Sequence, residues 1–241
     1  IVDESNRALL LSNWLAAINQ PSSARKETSI EHNFVQDIIC EVLGYRLYPP
    51  QPDSTSTAWI KPPSSATGIG KEPDLAFGKF VSGDANNFYV IGELKKPGTQ
   101  FDVPQPRKDP KTPVEQGFEY AESILGVRWV IVTDMSIIRL YSIDSPGNFQ
   151  KFDLGKCIDD EGKPTEEFRK LYFLLHFDYL VKDGEESPVS SLYYENTTQQ
   201  LEIRDEFYAT YYQIRSDLYH AIRDATKYFE NIPTREELLE A

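Results

Sequence analysis

One segment, residues 88–95, restricts the possible folds of this chain more than any other. Its sequence is Phe-Tyr-Val-Ile-Gly-Glu-Leu-Lys. Because successive strand residues point to opposite faces, both faces of the segment are apolar up to Glu93. A strand buried on both sides therefore ends by placing a carboxylate beside the ammonium group of Lys95. Burying these charges is costly unless they pair or meet a metal, so we expect either a partly buried ion pair or a functional site.

The order of the predicted elements indicates an α/β fold. A turn-rich segment, residues 82–87, joins strand 88–95 to a preceding strand at 73–80, which favours an antiparallel hairpin. The next helix and strand, 113–125 and 128–133, complete a β-α-β crossover whose strands should be parallel. We therefore predict a mixed central β-sheet flanked by helices. The other predicted elements are helices at 4–18, 29–43, 165–180 and 203–229, strands at 137–143 and 149–153, and a long loop or frayed strand pair in the Pro/Ser/Thr-rich segment 49–70.

Two parts of the chain are expected to have different roles. Residues 1–180 should form the main domain, with its motifs between 28 and 145, and residues 181–241 a C-terminal helical extension. The sequence stops inside a helical pattern, Arg-Glu-Glu-Leu-Leu-Glu-Ala, which suggests a piece of a longer polypeptide.

The composition excludes several classes of protein. With 40% hydrophobic and 26% charged residues the chain has the composition of a soluble globular protein, and it contains no apolar run of the roughly 18 residues that a spanning helix needs. Cys40 and Cys157 form no CxxC pair and the three histidines are scattered, so disulfide frameworks and Cys/His zinc sites have no support. We expect a cytoplasmic protein with no membrane partner.

The charge is distributed unevenly. A net charge of −13 argues against a general nucleic-acid binder, because attraction to phosphate supplies most non-specific affinity. Residues 157–241 contain 19 acidic and 9 basic side chains, so most of the acidity lies in the last third. The Pro-rich segment after the central strand is locally basic, although ordinary solvated loop charge is the better explanation for any single lysine in it. Its basic residues are Lys95, Lys96, Arg107, Lys108 and Lys111.

A second carboxylate is expected near Glu93. Asp74 follows Pro73 at the start of the strand that should pair with 88–95, and a hairpin brings Asp74 towards Glu93. Two neighbouring carboxylates repel unless a cation bridges them, and oxygen ligands without Cys or His suit Mg²⁺ or Mn²⁺. Lys95 could then orient a water or neutralise a transition state.

Two helices add polar residues by their spacing. Glu31 falls in the middle of the apolar stripe of helix 29–43 and so faces inward, although a Glu in a first turn can also simply favour the helix dipole. Gln116 and Tyr120 are four residues apart on helix 113–125 and share a flank at the border of its apolar stripe. A plain helix edge would have the same pattern.

These motifs together resemble the PD-(D/E)XK nuclease superfamily, in the branch that shares a QxxxY motif with RecB-type nucleases and type I restriction subunits. The resemblance covers about residues 28–145 and rests on Pro73-Asp74, Glu93-Leu94-Lys95, the helical Glu31 and Gln116-x-x-x-Tyr120. It implies a restriction-endonuclease-like fold in which Asp74, Glu93 and the Leu94 carbonyl bind Mg²⁺ and Glu31 completes the acidic cluster. It also implies that Lys95 assists the attacking water and that Gln116 and Tyr120 orient DNA or the lysine.

The resemblance implies the nuclease domain of a bacterial or archaeal restriction-modification enzyme that hydrolyses duplex DNA and leaves a 5′-phosphate. The last third is similar to the helical connector that precedes a methyltransferase in single-chain enzymes, whereas a type I subunit would continue into a helicase. Two alternatives remain: a non-catalytic nuclease-fold module for docking or DNA positioning, and an interaction protein that uses its Tyr-rich C-terminal helix as a partner surface.

Overall fold

The computed structural model describes residues 4–19, 27–50, 55–68, 72–81, 86–106 and 110–225. The chain divides after Ser190 into two compact units, where the sequence suggested a boundary at residue 180. The first unit is an α/β domain, as predicted. The second consists, in its described part, of the continuation of the last helix.

A six-stranded mixed sheet forms the centre of the first unit. The strands lie side by side in the order in which they occur in the chain, and β3 pairs with β4 in parallel while the other neighbours are antiparallel. The predicted hairpin and parallel crossover are therefore confirmed. The strands are β1 Ser56–Ile60, β2 Leu75–Phe80, β3 Asn87–Leu94, β4 Trp129–Thr133, β5 Ile137–Ser142 and β6 Phe149–Asp153.

Helices cover both faces of the sheet. The helices are α1 Glu4–Ile18, α2 Glu27–Phe34, which continues as a π-helix Val35–Val42, α3 Ser64–Thr67, α4 Pro113–Ser123, α5 Glu166–Leu175, α6 Phe177–Leu180 and α7 Pro188–Ala225. On one face, Phe118 and Ala121 of α4 pack on buried strand residues such as Ile91 and Val130. On the other face, Phe34 of α2 and Leu175 of α5 meet Phe77 around a small apolar cavity.

The structure corrects three of the sequence predictions. The segment expected as a loop or frayed strand pair contains the edge strand β1, which pairs with β2 and not with a strand of its own. The helix expected at 165–180 is broken at His176, whose side chain caps α6 by accepting the backbone N–H of Asp178. The last helix begins at Pro188, fifteen residues before the predicted start. The prediction missed its first part because those residues are polar and form no apolar stripe.

The second predicted helix ends as expected but changes its hydrogen bonding on the way. From Val35 the turns widen to a π-helix, a form that is often found at functional sites. Gly44 then takes a left-handed backbone with φ 77°. A Cβ at Gly44 would lie 2.6 Å from Nε2 of His176, so both the backbone conformation and the close approach of His176 require glycine there.

None of the described helices combines the length and the apolar character that crossing a membrane requires.

Candidate active site at the strand ends

Asp74 and Glu93 lie at the same edge of the sheet. Leu75 of β2 pairs with Gly92 of β3, and continuing this antiparallel register by one residue sets Asp74 opposite Glu93. The carboxylate of Asp74 accepts the backbone N–H of Leu94 at 3.0 Å. This bond ties the residue before β2 to the end of β3, so the hairpin brings the two acidic residues to neighbouring strands.

Glu93, Lys95 and Gln116 form a buried polar group, called here the buried triad. The Lys95 ammonium pairs with the Glu93 carboxylate, and their side chains are only 11% and 4% exposed. Lys95 Nζ also donates to Oε1 of Gln116 at 3.3 Å. Because both partners accept hydrogen bonds from one ammonium group, its position is fixed from two elements, strand β3 and helix α4.

Two local features hold Gln116 in place. A capping box formed by Thr112 and Glu115 begins α4, with Pro113 at the first helical position, an arrangement that satisfies two free backbone N–H groups. Gln116 Nε2 donates to the carbonyl of Lys111 at 3.2 Å, which fixes the amide so that its oxygen faces Lys95. The sequence placed Gln116 at the border of the apolar stripe, and the structure buries it at 4% exposure.

A second group of residues lines a cleft of about 210 Å³, called here the acidic cleft. Asp74 and Glu31 both line it, so the inward orientation expected for Glu31 brings it to the same place as Asp74. Lys61, at the end of β1, reaches into the cleft with its Nζ 3.6 Å from a carboxylate oxygen of Glu31. The lining consists of Glu31, His32, Val35, Ile60, Lys61, Asp74 and Leu94.

The expected cluster of three carboxylates is not assembled. Among the described residues, no three Asp, Glu, His or Cys side chains come close enough together to hold a metal ion. Glu31 and Asp74 share the acidic cleft, whereas Glu93 is turned towards Lys95 in the buried triad. The physical reason is charge pairing, since a buried carboxylate without a metal is stabilised by the nearest cation.

The donor chemistry of the acidic cleft still fits a hard divalent cation. Mg²⁺ is commonly held by one or two carboxylates and keeps several waters, and the cleft supplies the two carboxylates of Glu31 and Asp74 with room for water. One oxygen of Asp74 is engaged by the Leu94 N–H, which leaves the other to accept a ligand. Glu31, Asp74 and Leu94 are thus the residues of the cleft that could hold such an ion, with Glu93 on the adjoining strand.

The remaining predicted residues have more ordinary surroundings. Tyr120 is half-buried and packs against the hydrophobic cluster beneath α4. In the basic segment, Lys95 is buried in the triad and Lys111 pairs with Glu119 at 2.9 Å. Arg107 and Lys108, also expected in this segment, lie outside the described residues.

Sequence reasoning missed Asp134 and Lys61. Asp134, directly after β4, is 3% exposed and accepts backbone N–H groups of Gly98 and Ile137, so it holds the basic segment against the end of the sheet. The turn Asp-Met-Ser after a buried strand was a usable signal for this role. Lys61 had no such signal, because its position depends on the unpredicted strand β1.

Cysteine chemistry has no support in this domain. Burial, aided by the charge of Glu41, raises the pKa of Cys40 to about 12. Burial likewise raises the pKa of Cys157 to about 12. Both thiols are therefore un-ionised near neutral pH, and a thiolate is the form that acts as nucleophile.

A second cleft, of about 250 Å³, lies beside Arg139 and Lys151 near the end of β4. Arg139 makes a bidentate ion pair with Asp102 at 2.8 and 3.0 Å, and this bond lowers the pKa of Asp102 below its ordinary value. The guanidinium is also stacked over the rings of Phe101 and Phe149. The charge of Arg139 is thus already paired within the protein by a close bidentate contact, whereas the pair of Glu31 with Lys61 in the acidic cleft is longer, at 3.6 Å.

Comparison of the chain with protein families, with curated proteins and with solved structures finds no significant match.

Proposed function

We propose that this chain is the nuclease domain of a restriction-modification enzyme, a Mg²⁺-dependent endonuclease of the PD-(D/E)XK type that hydrolyses phosphodiester bonds of duplex DNA. One observation carries the proposal. Asp74, one step beyond the Leu75–Gly92 pair, falls opposite Glu93 at a strand end, and Lys95 is held by Glu93 and Gln116. The order of these residues along the chain is the order of the motifs in that superfamily.

The chain's own residues have separable tasks in this proposal. Glu93 and Gln116 orient the ammonium group of Lys95, which can donate a hydrogen bond to an attacking water or to a phosphoryl oxygen that gains charge. The Leu94 N–H orients the carboxylate of Asp74. A divalent ion held by Asp74, Glu31 and the Leu94 carbonyl would supply a water of lowered pKa and neutralise charge on the phosphoryl group, and Glu93 would join these ligands only on leaving its pair with Lys95.

The proposed partners are duplex DNA and a downstream methyltransferase or helicase domain of the same polypeptide. With a net charge of −13, the chain alone should bind DNA weakly at physiological salt. A further domain that binds DNA would raise the local concentration of the substrate at the acidic cleft. The cytoplasm of a bacterium or archaeon, where such systems act, is the proposed location.

The proposal is tested by incubating the protein with supercoiled plasmid and Mg²⁺ or Mn²⁺ and measuring nicked and linear DNA. We expect Asp74→Asn and Lys95→Met to reduce the cleavage rate at least 100-fold, in the range that general acid–base and electrostatic groups contribute. Lys163→Met is the matched control, because Lys163 forms an exposed pair with Glu161. Circular dichroism of each variant separates loss of chemistry from loss of folding. Cleavage by Asp74→Asn at the wild-type rate would refute the assignment.

One observation favours a second candidate, the non-catalytic nuclease-fold module. The buried carboxylate of Glu93 is already neutralised by Lys95, so it needs no metal for its stability. Titration calorimetry with Mn²⁺ separates the two functions. Heat of binding that disappears in Asp74→Asn supports the nuclease, and its absence from the wild type supports the docking module.

A further inference from the structure

We propose that Lys61 is the resident counter-cation of the acidic cleft and sets how tightly the cleft takes up a divalent cation. This inference rests on the proposed function, in which Asp74 and Glu31 receive that ion. Lys61 was not among the residues that the sequence motifs pointed to. Its ammonium group lies 3.6 Å from Glu31, and its side chain lines the cleft together with Asp74.

The backbone at Lys61 is unusual and is tied to Asp74. Lys61 has φ 46°, in the left-handed region that residues other than glycine, asparagine and aspartate rarely occupy. Its N–H donates to the carbonyl of Asp74 at 2.9 Å. The left-handed turn at the end of β1 therefore fixes the lysine directly beside one acidic residue of the cleft while its ammonium pairs with the other.

Among the described residues, Lys61 is the lysine that pairs with Glu31, and its backbone N–H bonds the carbonyl of Asp74. The other lysine nearby, Lys95, is 11% exposed and is held by Glu93 and Gln116. Lys61 is 52% exposed, and Glu31 26%. A half-exposed lysine on its four-carbon stem can turn its ammonium into water when another cation arrives, which the buried lysine cannot do without leaving its partners.

The consequence for metal uptake follows from Coulomb's law. A divalent ion in the cleft is repelled by the ammonium group, and it gains Glu31 only when the ion pair with Lys61 opens. At a separation of about 6 Å in a solvent-like dielectric, this repulsion alone corresponds to about a tenfold change in affinity at low salt. Lys61 thus weakens metal binding and partly neutralises the two carboxylates of the cleft when no metal is bound.

The test is titration calorimetry of the protein with Mn²⁺ at low ionic strength. Lys61→Asn removes the charge and retains a residue that tolerates the left-handed backbone, so the variant should fold. We expect it to bind Mn²⁺ about tenfold more tightly than the wild type. Lys61→Arg keeps the charge and should bind within about twofold of the wild type. Lys163→Asn, which removes a lysine from an exposed pair elsewhere, is the matched control and should leave the affinity unchanged.

Thermal unfolding gives a second readout that does not depend on activity. A ligand that binds the native state raises the midpoint more as its affinity increases, so a fixed Mn²⁺ concentration should raise the midpoint of Lys61→Asn more than that of the wild type. If Lys61→Asn binds Mn²⁺ with the affinity of the wild type while Asp74→Asn abolishes binding, the inference is wrong and the proposed metal site stands. If no variant shows Mn²⁺ binding that depends on Asp74, both proposals fail.

Discussion

At the scale of single residues, the buried triad has an unusually large desolvation penalty. A lysine at 11% exposure and a glutamate at 4% have lost most of their hydration, which is repaid only while they stay paired and hydrogen-bonded. Gln116 supplies the second acceptor for the ammonium. Lys95 therefore links Glu93 to Gln116, and removing it takes a hydrogen-bond donor and a positive charge from both.

We expect Lys95→Met to lower the free energy of unfolding by about 3 kcal/mol, because the Glu93 carboxylate would remain buried without its cation. The double variant Lys95→Met/Glu93→Gln should recover at least half of this loss, since it also removes the carboxylate charge that Lys95 neutralised. Urea unfolding of both variants measures the two values. Lys163→Met, at an exposed ion pair, should change the value by less than about 0.5 kcal/mol. A double variant as unstable as Lys95→Met would contradict the pairing.

His176 provides a prediction about pH. It is 6% exposed, and burial, together with the positive charge of Arg7, lowers its pKa to about 4, against a smaller opposite effect of Asp178. In the unfolded chain His176 is protonated below about pH 6.5, whereas in the folded protein it is protonated only below about pH 4. Folded stability is therefore lost as the pH falls through this window, by about 2 kcal/mol after allowance for partial solvent screening.

The variant His176→Asn isolates this contribution, because asparagine can still accept the N–H of Asp178 at the helix cap. Urea unfolding at roughly pH 7, 6, 5 and 4.5 should show the stability of the wild type falling towards that of the variant. The difference between the two proteins therefore reports His176 together with Asp178, the carboxylate beside it. A difference that stays constant over this range would contradict the assigned pKa.

At the scale of elements, helix α4 reaches the sheet only because residue 117 is glycine. A Cβ at Gly117 would lie 2.8 Å from Cγ1 of Val130 and 3.8 Å from Cβ of Glu93. Val130 is fully buried and β-branched, so its side chain has little freedom to move aside. The close approach of α4 at this point is also what brings Gln116 within reach of Lys95.

We expect Gly117→Ala to destabilise the protein by about 1 kcal/mol, although alanine favours a helix by about 1 kcal/mol over glycine. The cost of overpacking, about 1–3 kcal/mol, exceeds that gain. Gly147→Ala is the control, because an added Cβ there meets nothing within 4 Å, and it should be nearly neutral. Thermal unfolding checks both. Stabilisation by Gly117→Ala would show that α4 can move outward without loss.

The elements also show how far the sequence could predict the fold. The strands β2 to β6 and helices α1 and α4 were predicted close to their observed bounds, because each has a clear apolar period or a marked end such as Thr112-Pro113. Strand β1 was not, since Ser56–Ile60 is an edge strand in a segment rich in turn residues. A strand of this kind is defined by its pairing with β2, which is a tertiary property.

The same limit applied to the candidate site. Asp74, Glu93 and Lys95 follow from the strand pattern, since register and alternation place them at one edge. Alternation also sets Glu93 and Lys95 on one face of the strand, so their ion pair was one of the two expected outcomes, but the pattern does not decide between pairing and metal binding. The place of Lys61 in the cleft could not be predicted from a period, because it requires both β1 and a left-handed backbone.

At the scale of the whole molecule, the first unit ends inside α7. Ser187 and Ser190 are buried and hydrogen-bonded to each other, and Trp129 Nε1 donates to the Ser190 hydroxyl at 3.3 Å. Val189 is 3% exposed. From Ser191 to Asp224 the residues of α7 are exposed or half-buried. The first turn of this helix is thus part of the core of the first unit, whereas the rest of the described helix has few buried side chains.

This division predicts how truncation acts on stability. A chain that ends at Glu195 retains Ser187, Val189 and Ser190, and its thermal midpoint should stay within about 2 °C of that of the whole chain. A chain that ends at Glu186 loses these three buried side chains and the hydrogen bond from the indole N–H of Trp129 to Ser190, which alone contributes about 0.5–1.5 kcal/mol. Its midpoint should fall by at least roughly 5 °C. Equal midpoints for the two truncated chains would mean that the first turn of α7 does not belong to the first unit.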